Sequence, residues 1–177
     1  MIPPESIKTE RLVLRKPRLD DALILFAAYM QDLEVTRYTT WRPHKHIEEA
    51  ESFINGSIAA WESGTRFPFV ITLKENDKPF GMIDLHIRSC TVGFGYVIAR
   101  FHQCKGYATE ATRAIINWAF QQSTIYRVNA STDIENVASQ RVLEKAGMVR
   151  EELLRKYIVH PNISDIPRDS YMYAITK

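Results

Sequence analysis

Residues 95–111 read Gly95-Tyr96-Val97-Ile98-Ala99-Arg100-Phe101-His102-Gln103-Cys104-Lys105-Gly106-Tyr107-Ala108-Thr109-Glu110-Ala111. An apolar, aromatic and β-branched run ends in a polar loop, and the period turns helical just after Gly106. A strand that feeds a helix in this way brings free backbone N–H groups together with the positive end of a helix dipole, a setting suited to a phosphate or pyrophosphate. Gly106 lets the backbone approach an anion, Ala108 keeps bulk off the first turn, and Lys105 adds charge nearby. Neither a Gly-x-Gly-x-x-Gly fingerprint nor a Gly-Lys-Ser/Thr ending occurs, which disfavours dinucleotide and P-loop nucleotide sites. Many helix starts contain one glycine, so an ordinary helix N-terminus satisfies the same pattern.

The flanking sequence sets this junction in a mixed domain. Upstream, Phe67 to Leu73, Phe80 to Arg88 and Thr91 to Ile98 are β-rich runs, the first two joined by a polar turn Glu75-Asn76-Asp77-Lys78; they predict an antiparallel meander. Downstream, a helix from Tyr107 to Gln122, a strand from Arg127 to Ser131 and a helix from Asn136 to Ala146 with Gly147 as stop predict a parallel crossover. Leu153 to Val159 and Tyr171 to Ile175 read as a closing hairpin with a long loop. At the start, Leu12 to Arg15 reads as a strand. Asp20 and Asp21 open a helix through Met30 with Leu23, Phe26 and Ala27 at core spacing. The segment from Asp32 to Lys45 is aperiodic and aromatic. Ile47, Ala50, Ile54, Ile58 and Trp61 then mark an amphipathic helix ending at Gly64. The expected fold is α/β (α+β): one domain over residues 1–177, with a mixed sheet of about seven strands and about four helices on both faces.

Composition narrows the function. The chain has 177 residues, 45% hydrophobic and 25% charged, enough for one core burying roughly 70% of the unfolded surface. Lys plus Arg at 23 against Asp plus Glu at 21 leaves a net charge of +2 without a block of like charge, so no nucleic-acid partner is expected. Cys90 and Cys104 are the only cysteines and form no metal-ligand spacing; neither a disulfide scaffold nor a metal site is expected, and the compartment reads as cytoplasmic. Met1 to Glu10 is not an apolar leader, and Ala22 to Met30 is too short to span a membrane.

Gln103-Cys104-Lys105-Gly106-Tyr107-Ala108 resembles the pyrophosphate loop Gln/Arg-x-x-Gly-x-Gly/Ala of the GNAT superfamily of acetyl-coenzyme A dependent N-acetyltransferases. The likeness covers nearly the whole chain. It runs from Thr9-Glu10-Arg11-Leu12-Val13-Leu14-Arg15 through Asn136-Val137-Ala138-Ser139 and Glu144-Lys145-Ala146-Gly147-Met148 to Arg168-Asp169-Ser170-Tyr171-Met172-Tyr173. These segments are similar to the RimJ/RimL-type branch of ribosomal-protein alanine acetyltransferases, in which the Cys104 position is usually glycine. The resemblance implies acetyl-coenzyme A as co-substrate and no metal. Its contacts would come from Gln103, Cys104, Lys105, Gly106, Tyr107, Ala108 and Thr109, from the main chain of Val97 and Ile98, and from Asn136 and Ser139. The side chains of Val97 and Ile98 are expected in the core.

Acetyl transfer needs a neutral amine, a polarised thioester oxygen and a proton for the departing thiolate. Asn136, Ser139 and Leu143 share one helical face. Many family members have a tyrosine acid at the last of these positions; Leu143 cannot donate, and in the Rim-like branch the serine is the proposed donor. Asn136 reads equally as a helix N-cap, and Ser139 as an exposed helical serine. For a general base, Asp84 and His86 alternate on one face of the central strand, although such groups are often merely solvated. The carboxylate that some Rim-type enzymes carry after the last helix is missing from Arg155-Lys156-Tyr157-Ile158. Tyr38 and Trp41, with the loop from His160 to Asp165, would border the acceptor entrance; packing under the loop is the other reading of Trp41. The expected partner is an amine, on a protein N-terminus or a small molecule, and the expected state is monomer or homodimer. A catalytically silent acyl-coenzyme A binding module is the alternative.

Overall fold

The first turns of the chain already depart from the simple pattern. In the computed structural model, which describes residues 1–177, Asp21–Leu25 is a short α-helix (α1) that continues as a π-helical turn, Phe26–Met30. Ala22, Leu25 and Tyr29 form the buried stripe at three- and four-residue spacing, joined by Met30, so the expected core residues Leu23 and Ala27 lie on the neighbouring face in solvent and Phe26 is half-buried. Asp20 caps nothing. Asp21 instead is buried, takes both terminal nitrogens of Arg15 at 2.8 Å and accepts the Arg18 amide at 2.7 Å.

Eight strands form one sheet: β1 Ser6–Lys8, β2 Leu12–Arg15, β3 Phe67–Leu73, β4 Asn76–Arg88, β5 Thr91–Ile98, β6 Arg127–Asp133, β7 Val149–Ile158 and β8 Arg168–Thr176, in the spatial order β1-β2-β3-β4-β5-β6-β8-β7. The extra strand relative to the expected seven is β1, three residues at the edge and too short to show alternation. The β3–β4 turn is tighter than the polar run suggested, with Leu73 opposite Asn76 and a bulge absorbing the mismatch. The remaining helices are α2 Ile47–Ser63, α3 Tyr107–Gln121 and α4 Val137–Lys145.

All ladders are antiparallel except β5–β6. The core runs through the middle of the sheet, where Phe69, Ile71, Ile83, Leu85 and Val92 have no exposure. Ile115 and Ala119 of α3 and Ile54 of α2, equally buried, complete that core. Truncating such a residue to alanine costs about 2–5 kcal/mol, so this packing holds the central strands rigid around the one place where they separate.

Candidate active site

That place is the parallel pair. β5 and β6 are in register only at Thr91–Arg127, Val92–Val128 and Gly93–Asn129, and the remaining halves of both strands part. Ala99 donates its amide to Phe80 O, so the alternation of an antiparallel ladder turns the main-chain groups of Val97 and Gly95 toward β4. Those of Phe94, Tyr96 and Ile98 face the parting. Of the two strand residues assigned main-chain roles, Ile98 thus turns its main chain to the parting and Val97 does not. Tyr96 faces it in Val97's stead, and Val97, half-buried, packs against the core and borders the cavity.

Beyond β5 the chain makes a 3₁₀ turn, Arg100–His102, and the loop Gln103 to Gly106 before α3. Gly106 has φ +82°, a left-handed conformation that lets the chain turn into the helix. The first helical bond at this end runs from Glu110 N to Gly106 O, which leaves the amides of Tyr107, Ala108 and Thr109 without helical partners. Three free donors on a helix end, with Lys105 alongside, fit a diphosphate group. Cys104 also has a positive φ of 58°. An L-residue there carries a cost of about 1–2 kcal/mol that glycine avoids, which explains why glycine suits this loop position. Gln103 fastens the loop by donating to Ile98 O at 2.9 Å.

The loop is also held from below by residues whose role the sequence did not reveal. Glu110 accepts Arg11 N at 2.8 Å, Arg11 Nε at 2.7 Å and Thr9 Oγ1 at 2.5 Å. Arg11 extends to Lys105 O at 3.1 Å and lies over the Tyr107 ring. The segment Thr9-Glu10-Arg11 thus ties the start of β2 to the first turn of α3.

A cavity of about 510 Å³ opens at the strand parting and takes in Val97, Asn136 and Ser139 of the expected co-substrate residues; Ile98 and the loop from Gln103 to Thr109 lie outside its lining, with Gly106 and Thr109 bordering a second cavity beside Arg11 and Glu110. Asn136, Ser139 and Leu143 line it from α4, Asp84 and His86 from β4, and Tyr38 and Trp41 from the aromatic segment. Asn136 caps α4, its Oδ1 accepting the Ser139 amide at 3.2 Å, which leaves the Nδ2 donor uncommitted. Cap and ligand contact are therefore compatible. The Tyr96 hydroxyl donates to Ser139 Oγ at 3.2 Å across the parting. Asp84 binds Arg66 Nη1 through Oδ2 at 2.6 Å, while its buried Oδ1 has no partner. Burial pushes the Asp84 carboxyl up from its ordinary range, against the pull of Arg66 and His86.

Trp41 lines the cavity and packs against Tyr29, His44 and Phe53. Asn162 donates to Thr36 O at 2.7 Å and Trp41 O at 2.9 Å, and Arg42 reaches Pro161 O at 2.8 Å; the aromatic segment and the β7–β8 loop form one wall. His160 is buried in that wall, edge-on to Tyr38 and 3.8 Å from Asp133, which Arg168 binds at 2.7 Å. Although burial pushes the Asp133 carboxyl up, its bonds to Arg168 and the Glu135 amide hold it below the ordinary range.

Residues 11–149 match the acetyltransferase (GNAT) domain. The chain belongs to the GNAT acetyltransferase family. This acetyltransferase is 33% identical over 176 residues to an N-acetyltransferase, p20, of Bacillus licheniformis, covering 98% of this chain and 97% of that one. It superposes on the crystal structure of a Bacillus anthracis GNAT acetyltransferase with TM-score 0.83 and 31% identity over 97% of this chain and 98% of that one. Mycobacterium smegmatis RimJ, solved with a coenzyme A disulfide, shares the fold with TM-score 0.84 and 23% identity over 99% of this chain and 90% of that one.

The acetyltransferase uses acetyl-coenzyme A to acylate an amine acceptor. The free amides of α3 and the β5–β6 parting fit that co-substrate, and no cluster of three or more metal-ligating side chains is present. No helix is long and apolar enough to cross a membrane. Three cavity residues escaped sequence reading. Arg66 faces Asp84 only through the β3–β4 register, and Asp133 is brought to the cavity beside Arg168 at the start of β8. Tyr96 belonged to the quoted Gly-Tyr-Val-Ile run, yet nothing in its spacing shows that its phenol crosses to α4.

Proposed function

We propose that residues 1–177 act as one catalytic domain that moves the acetyl group directly from acetyl-coenzyme A to a primary amine of α-amino type, on a protein N-terminus or a small molecule. The observation that carries this reading is the single cavity joining Ser139 and Asn136 on one side of the parted strands to Asp84, His86, Tyr38 and Trp41 on the other. Co-substrate and acceptor then meet without an intervening acyl-enzyme. The nitrogen–carbon bond forms as the carbon–sulfur bond breaks, and its electron pair stays on sulfur. Ser139 gives its proton to that sulfur, and the proton lost by nitrogen passes to water, from which the serine is restored.

The acceptor class follows from acid–base chemistry. Although burial raises the Asp84 carboxyl, its Oδ2 is paired with Arg66, and a carboxylate is a weaker base than an amine. An α-amine of pKa about 8 is roughly a tenth neutral at pH 7, whereas a lysine amine of pKa about 10.4 is neutral in only a few parts in ten thousand. A site lacking a strong base suits the former. The test records free thiol released from acetyl-coenzyme A across a panel of amines, then the pH profile for two acceptors of different amine pKa. Profiles that shift with the acceptor are expected; one profile common to both, centred near neutrality, would assign the limiting proton to the enzyme and overturn the acceptor argument.

A further inference from the structure

Tyr96 and Ser139 stand on opposite banks of the parting, one on β5 and one on α4, and both line the cavity. Their hydroxyls meet at 3.2 Å, with the phenol as donor, and Ser139 Oγ has no other partner in the protein. We propose that Tyr96 is a positioning residue for the transfer step: its phenolic hydrogen occupies one lone pair of Ser139 Oγ and thereby directs the serine's own hydrogen into the cavity.

The proposal rests on the reading of Ser139 as proton donor to the departing thiolate. A serine hydroxyl that accepts a hydrogen bond cannot aim its hydrogen back at the same donor, so the Oγ–H is left to point toward the parting, where the sulfur leaves. As that proton moves to sulfur, negative charge grows on Oγ, and a hydrogen bond already in place meets it without reorganisation. The phenol keeps its own proton throughout; the serine loses one to sulfur and regains one from water. Burial pushes the Tyr96 phenol up to about 12, so it remains a donor across the working range of the enzyme. Its main chain faces the same parting, which fixes the phenol to the strand that borders the reacting atoms.

The proposal is tested by a cycle of Tyr96→Phe, Ser139→Ala and the double variant, reading kcat, KM for acetyl-coenzyme A and thermal melting. Ser139→Ala is expected to lower kcat about ten-fold, the lower end for general-acid catalysis because a thiol leaves readily. Tyr96→Phe is expected to lower kcat about five-fold with KM for acetyl-coenzyme A little changed, and the double variant to be no slower than Ser139→Ala alone. A purely structural role of the phenol would instead persist in the Ser139→Ala background, and that result overturns the proposal. So does a Tyr96→Phe enzyme at the wild-type rate while Ser139→Ala is slow. Wild-type turnover in Ser139→Ala overturns the serine reading itself and the proposal with it. If Tyr96→Phe fails to fold, Tyr96→Met removes the same hydroxyl and completes the cycle.

Discussion

Gly95 lies opposite Asp84 in the β4–β5 ladder, and a Cβ placed on it would meet no atom within 4 Å. Cross-strand partners point to the same face, so that empty space is cavity in front of the Asp84 carboxylate. A Gly95→Val enzyme is expected to fold at least as stably as wild type, since glycine weakens a strand by about 0.5–1 kcal/mol. Its KM for the amine should rise several-fold while its affinity for coenzyme A, measured by calorimetry, stays the same. A Gly95→Val enzyme with unchanged amine kinetics would place the acceptor elsewhere.

The contact between Arg11 and Glu110 carries a prediction for the co-substrate. Because Arg11 joins the α3 carboxylate to the Lys105 carbonyl, Arg11→Ala frees the loop that precedes the helix. Calorimetry should show coenzyme A binding weakened several-fold, with kcat at saturating acetyl-coenzyme A nearly unchanged. Equal affinity in the variant would show that the loop keeps its shape without this tie.

Asn136 separates two functions that alanine would remove together. Asp is as good an N-cap as Asn, so Asn136→Asp should keep its melting temperature, whereas Asn136→Ala loses about 1 kcal/mol. The carboxylate has no donor to replace Nδ2. Weaker coenzyme A binding in Asn136→Asp at unchanged stability is therefore expected, and equal affinity would confine Asn136 to capping.

Asp84 gives a pH dependence of definite sign. Its folded pKa is raised above the ordinary value, so its favourable contribution is fully present below the ordinary carboxylate range and is lost as pH rises through the raised pKa. Near pH 7 the enzyme therefore bears the cost of a partly buried charge. Asp84→Asn keeps an acceptor for Arg66 and should melt higher than wild type at pH 7, the difference closing as pH falls below the ordinary carboxylate range. A melting difference that is independent of pH would contradict the raised pKa.

Much of this arrangement is legible from local pattern. The strand-to-helix junction at Gly106, the α2 stripe from Ile47 to Trp61 and the face shared by Asn136, Ser139 and Leu143 are set by neighbours within a few residues, and spacing shows them. In α1 and its π-helical continuation, Ala22-Leu25-Tyr29 and Leu23-Phe26-Ala27 both fit helical spacing, and only packing against the rest of the fold selects the first as the buried face. Contacts made by topology leave no such trace. Arg66 meets Asp84 because β3 and β4 pair in one register, and Tyr96 meets Ser139 because two parallel strands part and a later helix fills the gap.

Direct transfer within one cavity is tested most plainly by mixing the enzyme with acetyl-coenzyme A, with and without an α-amine peptide, and following free thiol, acetylated peptide and the intact mass of the protein together. Without peptide, the protein mass should remain unchanged and thiol release should stay at the hydrolytic background; with peptide, one acetylated amine should appear for each thiol released. An acetylated protein formed without peptide, or thiol release that peptide does not accelerate, would contradict direct attack by the amine at this site.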